Sequence, residues 1–566
     1  MRIKLLHLAF ISLFIFLTGC LFYLQIIKGP LYSEMSSRNS IRLINIPAPR
    51  GIIYDRNRSV IGEDTFSFGV FIIPQESDDV GREIKKIAEI LDIKEGILKR
   101  KYKRNYLAPF APCEIIRDIS KKQAIIIQEL KLDMKGVLVK EIPSRRYPYA
   151  EMFAHITGYV GEIDREELTI FKEYGYQVKD MIGKDGVEKI KDSTLRGKNG
   201  GMQIQVDNRG HQVNILSERK SKKGNNVFLT FDASLQAYIW ELMKDNAGSC
   251  IVMDTRTGEI LALISSPSYD PNESVAKVFN IQGSPLMNRA IMGQYSPGSL
   301  FKLVVALSGL ESEIIDRDKV FECLGGFDVG GRVFHCWNRD GHGPMHLKDA
   351  ITQSCNIYFY KLSMMLGIEK IMEYAKEFRF GKATGIELLG EKPGFLPTRA
   401  WKRQAKKERW YTGDTLNHSI GQGYLLVTPL QVVRMMAAIA NGEYLLRPHI
   451  IKDDDLSSYK TKLRFKKENI DLIREGMRGV VAAPNGTGYQ AWSELVPISG
   501  KTGTSQVSGG KMPHAWFGGF APSSDPEIAL VVFLEHGGSG GDQPAFIARG
   551  IVEYWYKNMR TDKQSE

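Results

Sequence analysis

"YSPGSLFKLVVAL", residues 295–307, is the stretch on which the reading of this chain turns. A Ser-Pro-Gly turn runs into an apolar helical pattern, with Ser299 at its mouth and Lys302 three residues on. Residues at i and i+3 share one face of a helix, so the hydroxyl and the amine can touch. A helix N-terminus carries partial positive charge, which favours negative charge building at Ser299. A hydroxyl is a poor nucleophile until a base takes its proton. Lysine becomes such a base when burial lowers its pKa, and Leu300, Phe301, Leu303, Val304 and Val305 surround Lys302 with apolar side chains. A capping serine followed by a snorkelling lysine would give the same letters. Ser-x-x-Lys recurs at Ser217/Lys220, Ser274/Lys277, Ser457/Lys460 and Ser508/Lys511, each in polar, loop-like sequence where the lysine stays solvated. Only Ser299/Lys302 opens an apolar helix.

Two later stretches bear on it. "QSCNIYF" (353–359) places a hydroxyl and an amide two residues apart, Ser354 and Asn356. Such a pair can relay a proton and hold a substrate amide. "SGKTGTSQV" (499–507) reads as a strand. Lys501, Thr502 and Thr504 offer a charge and two hydroxyls to a carboxylate, while Gly503 removes a side chain where a substrate backbone could lie alongside.

Around these motifs the C-terminal part alternates strand and helix patterns. "NNVFLTFDASLQAYIWELM" (225–243) predicts a strand, Asp232 as N-cap, then a helix. "SCIVMDTRTGEILALIS" (249–265) predicts two strands joined at Thr257-Gly258. Residues 299–440 read as mostly helical; "AWFGGFAP" (515–522) and "EIALVVFLEH" (527–536) return to strands, and "FIARGIVEYWYKN" (546–558) closes with a helix. An antiparallel sheet covered by helices follows, an α+β or α/β sandwich. "SERKSKKGNN" (217–226) is polar and turn-rich, which sets a boundary between residues 40–215 and a C-terminal domain over 217–560. In the earlier segment, 78–103 and 120–134 have helical spacing, and 197–216 alternates around an Asn-Arg-Gly turn as a hairpin does.

At 566 residues the chain needs two or three domains. Its net charge of +11 is spread out, but denser at 99–104, 218–223 and 402–409. Solvated loops or contact with anionic lipid or cell-wall polymer account for these runs; nothing resembles a nucleic-acid reader. From Leu5 to Ile27 there is no Lys, Arg, Asp or Glu. Such a helix spans about 34 Å, enough for a hydrocarbon core. Arg2 and Lys4 precede it, so residues 1–4 are expected in the cytoplasm and the bulk of the chain outside. No small-residue cleavage site is evident, and "LTGC" (17–20) resembles a lipoprotein box although the apolar run continues past Cys20.

Ser-x-x-Lys, Ser-x-Asn and Lys-Thr-Gly in this order form the serine transpeptidase and β-lactamase signature. The chain resembles the class B penicillin-binding proteins, most closely those of the elongation machinery. The resemblance extends through "PRGIIYDRNRSVI" (49–61), "RRYPYAEMFAHITGYVGEI" (145–163), "GKDGVEKIKDSTLRG" (183–197), "DTLNHSIGQGYLLVTPLQ" (414–431) and "HAWFGGFAP" (514–522). Arg58 stands where that family usually has glycine.

The resemblance implies a single transmembrane helix, an elongated dimerisation-type pedestal and a penicillin-binding transpeptidase domain. It implies a membrane-anchored D,D-transpeptidase acting on stem peptides that end in D-Ala-D-Ala. Ser299 would attack the penultimate carbonyl, Lys302 accept its proton, Ser354 and Asn356 serve the leaving amine, and Lys501, Thr502 and Thr504 bind the terminal carboxylate. Backbone N–H groups of Ser299 and Thr504 would form the oxyanion hole. β-Lactams would acylate the same serine, and the implied partner is a multi-pass membrane glycosyltransferase of the shape, elongation, division and sporulation group. The alternatives are a septal enzyme of the same class and a carboxypeptidase or β-lactamase that admits water.

Cys323, Cys336, His342 and Cys355 read C-x12-C-x5-H-x12-C. Three thiolates and an imidazole are a ligand set for a closed tetrahedral zinc site, and Cys355 lies between Ser354 and Asn356. No cofactor is needed for the chemistry, so this zinc would be structural; some relatives are thought to carry zinc here. A Cys323–Cys336 disulfide and unpaired thiols remain open, as do His335 or His346 in place of His342.

Overall fold

The computed structural model describes residues 2–206, 212–273, 278, 281–453, 457–507 and 509–560. An α-helix runs from Arg2 to Phe22 and continues as a wider π turn through Tyr23–Ile27. Residues Ile3–Ile27 have mean hydropathy 2.3, and that helix is long and apolar enough to cross a membrane. The chain divides into two compact units. One comprises residues 1–51, 64–146 and 193–225; the other comprises 52–63, 147–192 and 226–566.

In the first unit the helix Val80–Leu91 buries Ile84, Ile87, Ala88 and Leu91, one apolar stripe at helical spacing. Asp79 caps it by accepting the N–H groups of Gly81 and Arg82. Asp92, with a left-handed φ of 52°, ends it, and Glu95–Asn105 follows as a second helix; the 78–103 pattern is therefore two helices. Ser120 and Gln123 form a capping box for Lys121–Glu129. These helices close a core of Val70, Ile72, Leu98, Ile115 and Ile127. The strands Ile41–Ile46, Gly200–Val206 and Gln212–Arg219 pair antiparallel. The turn expected at 208–210 lies outside the described residues.

The second unit is built on a five-stranded antiparallel sheet: β1 (Gly248–Asp254), β2 (Ile260–Ser266), β3 (Ser499–Ser505), β4 (His514–Ala521) and β5 (Ile528–Leu534). Their order is β2-β1-β5-β4-β3, which leaves β3 at an edge. Every residue of β5 is buried, so helices must cover both faces. Those helices are α1 (Ala233–Met243), α2 (Lys302–Glu311), α3 (Leu347–Thr352), α4 (Asn356–Glu377), α5 (Thr412–Ser419), α6 (Pro429–Asn441), α7 (Lys467–Ala482) and α8 (Gln543–Trp555). The first and last pack together, Tyr238 stacking on Tyr554 at 4.2 Å. Helix α6 packs on β1, β4 and β5, and buries twelve consecutive residues from Pro429 to Ala440.

Asp232 caps α1 through the N–H groups of Ser234 and Leu235, as its place in the sequence predicts. The 299–440 stretch is less helical than its pattern suggests. Short strands at Phe321–Cys323, Gly326–Val329, Arg332–His335 and Gly343–Met345 form two small hairpin-like pairs there.

The segment 52–63 is anchored by buried Asp55. Its carboxylate accepts the N–H groups of Asn57 and Ser59, and that of Ala233 at the start of α1. Between them Arg58 adopts φ 68°. That left-handed turn is why glycine suits the position and why arginine is strained there.

Candidate active site

Ser299 sits in a single tight turn, Gly298–Phe301, that feeds directly into α2. Gly298 has φ 56°, and a Cβ on it would lie 2.8 Å from the carbonyl oxygen of Thr504. Its N–H donates to Gly421 O at 3.0 Å. The turn is thus pressed against edge strand β3. Gly503 makes that approach possible, for a Cβ there would meet Pro297 O at 2.9 Å, Trp516 Cβ at 3.1 Å and Leu300 Cγ at 3.2 Å. The sequence reading gave Gly503 to the substrate; packing against the Ser299 turn already excludes a side chain.

Lys302, on the first turn of α2, has no exposed surface. Its Nζ donates to Ser354 O at 2.8 Å, to Asn356 Oδ1 at 2.7 Å and to Ser354 Oγ at 3.2 Å. Burial lowers its pKa from 10.5 to about 8, against the opposing pull of Cys355 and Cys336. About one molecule in ten therefore holds Lys302 neutral at pH 7. The ammonium uses all three N–H groups on these acceptors. The neutral amine has two N–H groups and a lone pair, which frees it to accept a hydroxyl proton.

Ser354 adopts φ 54°, a left-handed conformation unusual for serine. The strained turn follows α3 and precedes α4, which starts at Asn356. It points the Ser354 carbonyl and hydroxyl and the Asn356 amide at one ammonium.

Ser299, Ser354, Asn356, Thr502 and Thr504 line a single cleft of about 900 Å³. Lys501 does not line it. This lysine is fully buried, its Nζ donates to Thr502 O at 3.2 Å, and burial first and the Lys302 charge second hold its pKa well below the ordinary value. The Thr502 hydroxyl bonds that of Thr487 at 2.7 Å, and Thr504 is exposed. Thr487 carries no sequence signal beyond a Gly-rich loop. Asn417, Ile420, Gln422 and Gly423 also line the cleft, with Gln422 donating to Thr504 O at 3.2 Å. His335, Cys336, Trp337, Arg339 and Tyr360 form the remaining wall on that side.

A buried amine near neutral pKa, bonded to a serine and an amide beside a strand edge, can activate a hydroxyl and bind an extended peptide along the strand. Residues 248–553 match the penicillin binding protein transpeptidase domain. The chain belongs to that family. Residues 45–229 match the penicillin-binding protein dimerisation domain. The Peptidoglycan D,D-transpeptidase MrdA of Salmonella typhimurium (strain SL1344) is 31% identical over 95% of this chain and 92% of its own. A structure titled as a complex between Penicillin-Binding Protein (PBP2) and MreC from Helicobacter pylori aligns with TM-score 0.80 at 28% identity, covering 92% of this chain and 99% of that one. Another, "Structural coordination of polymerization and crosslinking by a peptidoglycan synthase complex", aligns with TM-score 0.74 at 28% identity over 98% of both chains.

The Cys/His residues converge at this wall, to which Cys336 belongs. Ligand atoms of Cys323, Cys336, His342 and Cys355 all lie within 4.8 Å of one another. His342 Nδ1 is 3.5 Å from the sulfurs of both Cys323 and Cys336. A tetrahedral zinc with ordinary Zn–S and Zn–N lengths has an S···N edge of about 3.5 Å. His335 is not in the group, and its carbonyl accepts from Asn356 Nδ2 at 3.3 Å. All the cysteines are free thiols rather than a Cys323–Cys336 disulfide. The Cys355 thiol donates to Cys336, which holds Cys336 low and pushes Cys355 up. The residues present fit the ion.

Proposed function

We propose that the chain is a peptidoglycan D,D-transpeptidase of the elongation type, working through an acyl-enzyme on Ser299. The observation that carries it is the Lys302 amine: buried, near pKa 8, and shared between Ser354 and Asn356, which line the same cleft as Ser299. Neutral Lys302 takes the Ser299 proton as Oγ attacks the penultimate D-Ala carbonyl of a stem peptide. Charge then builds on the carbonyl oxygen, where the N–H groups of Ser299 and Thr504 receive it. The Lys302 proton passes through the Ser354 hydroxyl to the departing D-Ala amine. The amine of a second stem peptide enters along the same path in reverse, and the new amide bond releases Ser299.

Asn356 Oδ1 keeps Lys302 in place through the cycle, and its Nδ2 is tied to His335 O. Thr502 and Thr504 hold the terminal carboxylate. Lys501, buried and near enough to Lys302 for that charge to lower its proton affinity, lies on the face of β3 that Gly503 presses against the Ser299 turn. β-Lactams acylate the same serine. Bound at Cys323, Cys336, His342 and Cys355, zinc would supply no reaction step, only cross-links that fix the turn carrying Ser354 and Asn356.

The apolar helix Ile3–Ile27 supports a single membrane anchor, with the enzyme outside the cytoplasmic membrane. The likeness to a penicillin-binding protein solved in complex with MreC, and to one solved in a peptidoglycan synthase complex, supports work inside an assembly. The partner we propose is a multi-pass glycosyltransferase that supplies the strand. The test is Ser299→Ala: labelling by a fluorescent penicillin should vanish while the thermal unfolding midpoint stays. Continued labelling would mean that another residue is the nucleophile.

A further inference from the structure

We propose that the loop Lys402–Arg409 is a docking rim for the carboxylates of a peptidoglycan strand, holding it beside the cleft; this rests on the transpeptidase reading above. The loop reads "KRQAKKER", five cations and one acid. Its sole buried charge is Lys402, 2% exposed, whose Nζ pairs with Asp414 at 2.6 Å and with Glu408 at 3.4 Å. Rings of Tyr411 and Tyr424 lie 4.7 and 5.9 Å from the same nitrogen. The one acid of the loop and the nearest carboxylate of α5 are thereby spent on an internal lysine. Arg403, Lys406, Lys407 and Arg409 remain exposed, and among the described residues none of them forms an ion pair. Two of the four rest on aromatic faces, Lys406 over Tyr424 at 5.6 Å and Arg409 over Tyr411 at 5.2 Å. The backbone is irregular, a π turn over Lys402–Lys406 followed by Lys407 at φ 59°.

The rim and the cleft share their supports. Asp414, which holds Lys402, lies one turn before Asn417 on α5, and Asn417 lines the cleft. Tyr424, which faces Lys402 and Lys406, directly follows the cleft-lining Gln422 and Gly423. Arg339, in the cleft wall itself, adds the same sign of charge. A strand whose stem peptide occupies the cleft would, in this proposal, pass over this edge. A stem peptide is a carboxylate-bearing chain, and clustered cations with no internal partner concentrate such polymers by long-range attraction. Placement on the cleft's own rim favours this ligand over an anionic membrane surface.

The probe is soluble, un-cross-linked peptidoglycan strand, bound by the full-length chain in detergent and by Arg403→Glu/Lys407→Glu. Among the described residues neither of these two side chains stacks on a ring, unlike Lys406 and Arg409. Reversal should weaken strand binding about five- to tenfold near 50 mM salt, with the difference vanishing near 500 mM. Strands with amidated carboxylates should bind wild type as weakly as native strands bind the variant. Penicillin acylation should stay within about twofold, since the loop touches none of the reacting groups. Equal strand binding by both proteins overturns the proposal, as does charge-dependent binding found only with phosphatidylglycerol vesicles. If the reversal variant labels poorly, Arg403→Gln/Lys407→Gln carries the same test with half the effect. A wild type that never labels with penicillin speaks instead against the Ser299 reading.

Discussion

Replacing Asn356 by Asp puts a carboxylate where an amide oxygen now accepts from Lys302 Nζ at 2.7 Å. The substitution is nearly isosteric and leaves α4 intact; it also removes the Nδ2 donor to His335 O, so the pH profile, not the rate at one pH, isolates the effect on Lys302. Lys302 now titrates near 8 because burial disfavours its charge. An adjacent carboxylate favours that charge and raises such a pKa by about 1–3 units. At pH 7 the neutral fraction falls from about a tenth to between about 1% and 0.01%, so acylation should slow by about 10- to 1,000-fold. The loss should be recoverable. The wild-type rate constant for β-lactam acylation should climb about fivefold from pH 7 to 8 and level off above about 8.5, following neutral Lys302. In Asn356→Asp the rise should continue past pH 9 and converge on the wild-type plateau. Stopped-flow acylation with a chromogenic β-lactam measures both profiles. A variant whose midpoint stays near 8 while only its plateau drops would show that Asn356 works by holding substrate, and that its bond to Lys302 is incidental.

Other expectations follow from single contacts. Gly503→Ala forces a methyl to within 2.9 Å of Pro297 O; it should cost about 1–3 kcal/mol and lower penicillin acylation more than unfolding alone explains, because the group that moves is the Ser299 turn. Unchanged acylation with an unchanged thermal midpoint would show that β3 and the turn are not so closely packed. Freshly purified protein should contain about one zinc per chain by elemental analysis, fewer in Cys323→Ser, and a strong chelator should remove it together with penicillin labelling; zinc-free protein with full labelling ends that idea. Arg58→Gly relieves a left-handed arginine at φ 68° and should stabilise the chain by up to about 1 kcal/mol. A lower thermal midpoint would mean that the arginine side chain contributes more than its backbone strain costs.

Much of the site was legible because its signals are local. An apolar helix opening at Ser299 implies a buried Lys302, and burial is what brings its pKa near 8. The strands around Thr257-Gly258 and the Asp232 cap were readable for the same reason: alternation and capping act over a few residues. What sequence could not supply was direction. Lys501 stands one residue from cleft-lining Thr502, and side chains alternate along a strand, so it is buried on the Gly503 face of β3, near Lys302. Gly503 answers to Pro297 and Leu300, some 200 residues away in sequence. Thr487 and Gln422 carry no signal because polar loop residues have no periodicity, and Asn417 reads as one more polar residue on a short helix. The Cys/His spacing matches no stock pattern, yet the short strands that interrupt the helical middle bring the four side chains within 4.8 Å.

The most direct measurement is peptide mapping by mass spectrometry after brief exposure to a β-lactam, at a series of pH values. A single adduct on the peptide carrying Ser299, its rate of appearance rising about ninefold from pH 6 to 7, about fivefold from pH 7 to 8 and flat above about 9, is the predicted result. An adduct on any other residue, or one on Ser299 that forms at the same rate from pH 6 to 9, would contradict a serine activated by a buried lysine.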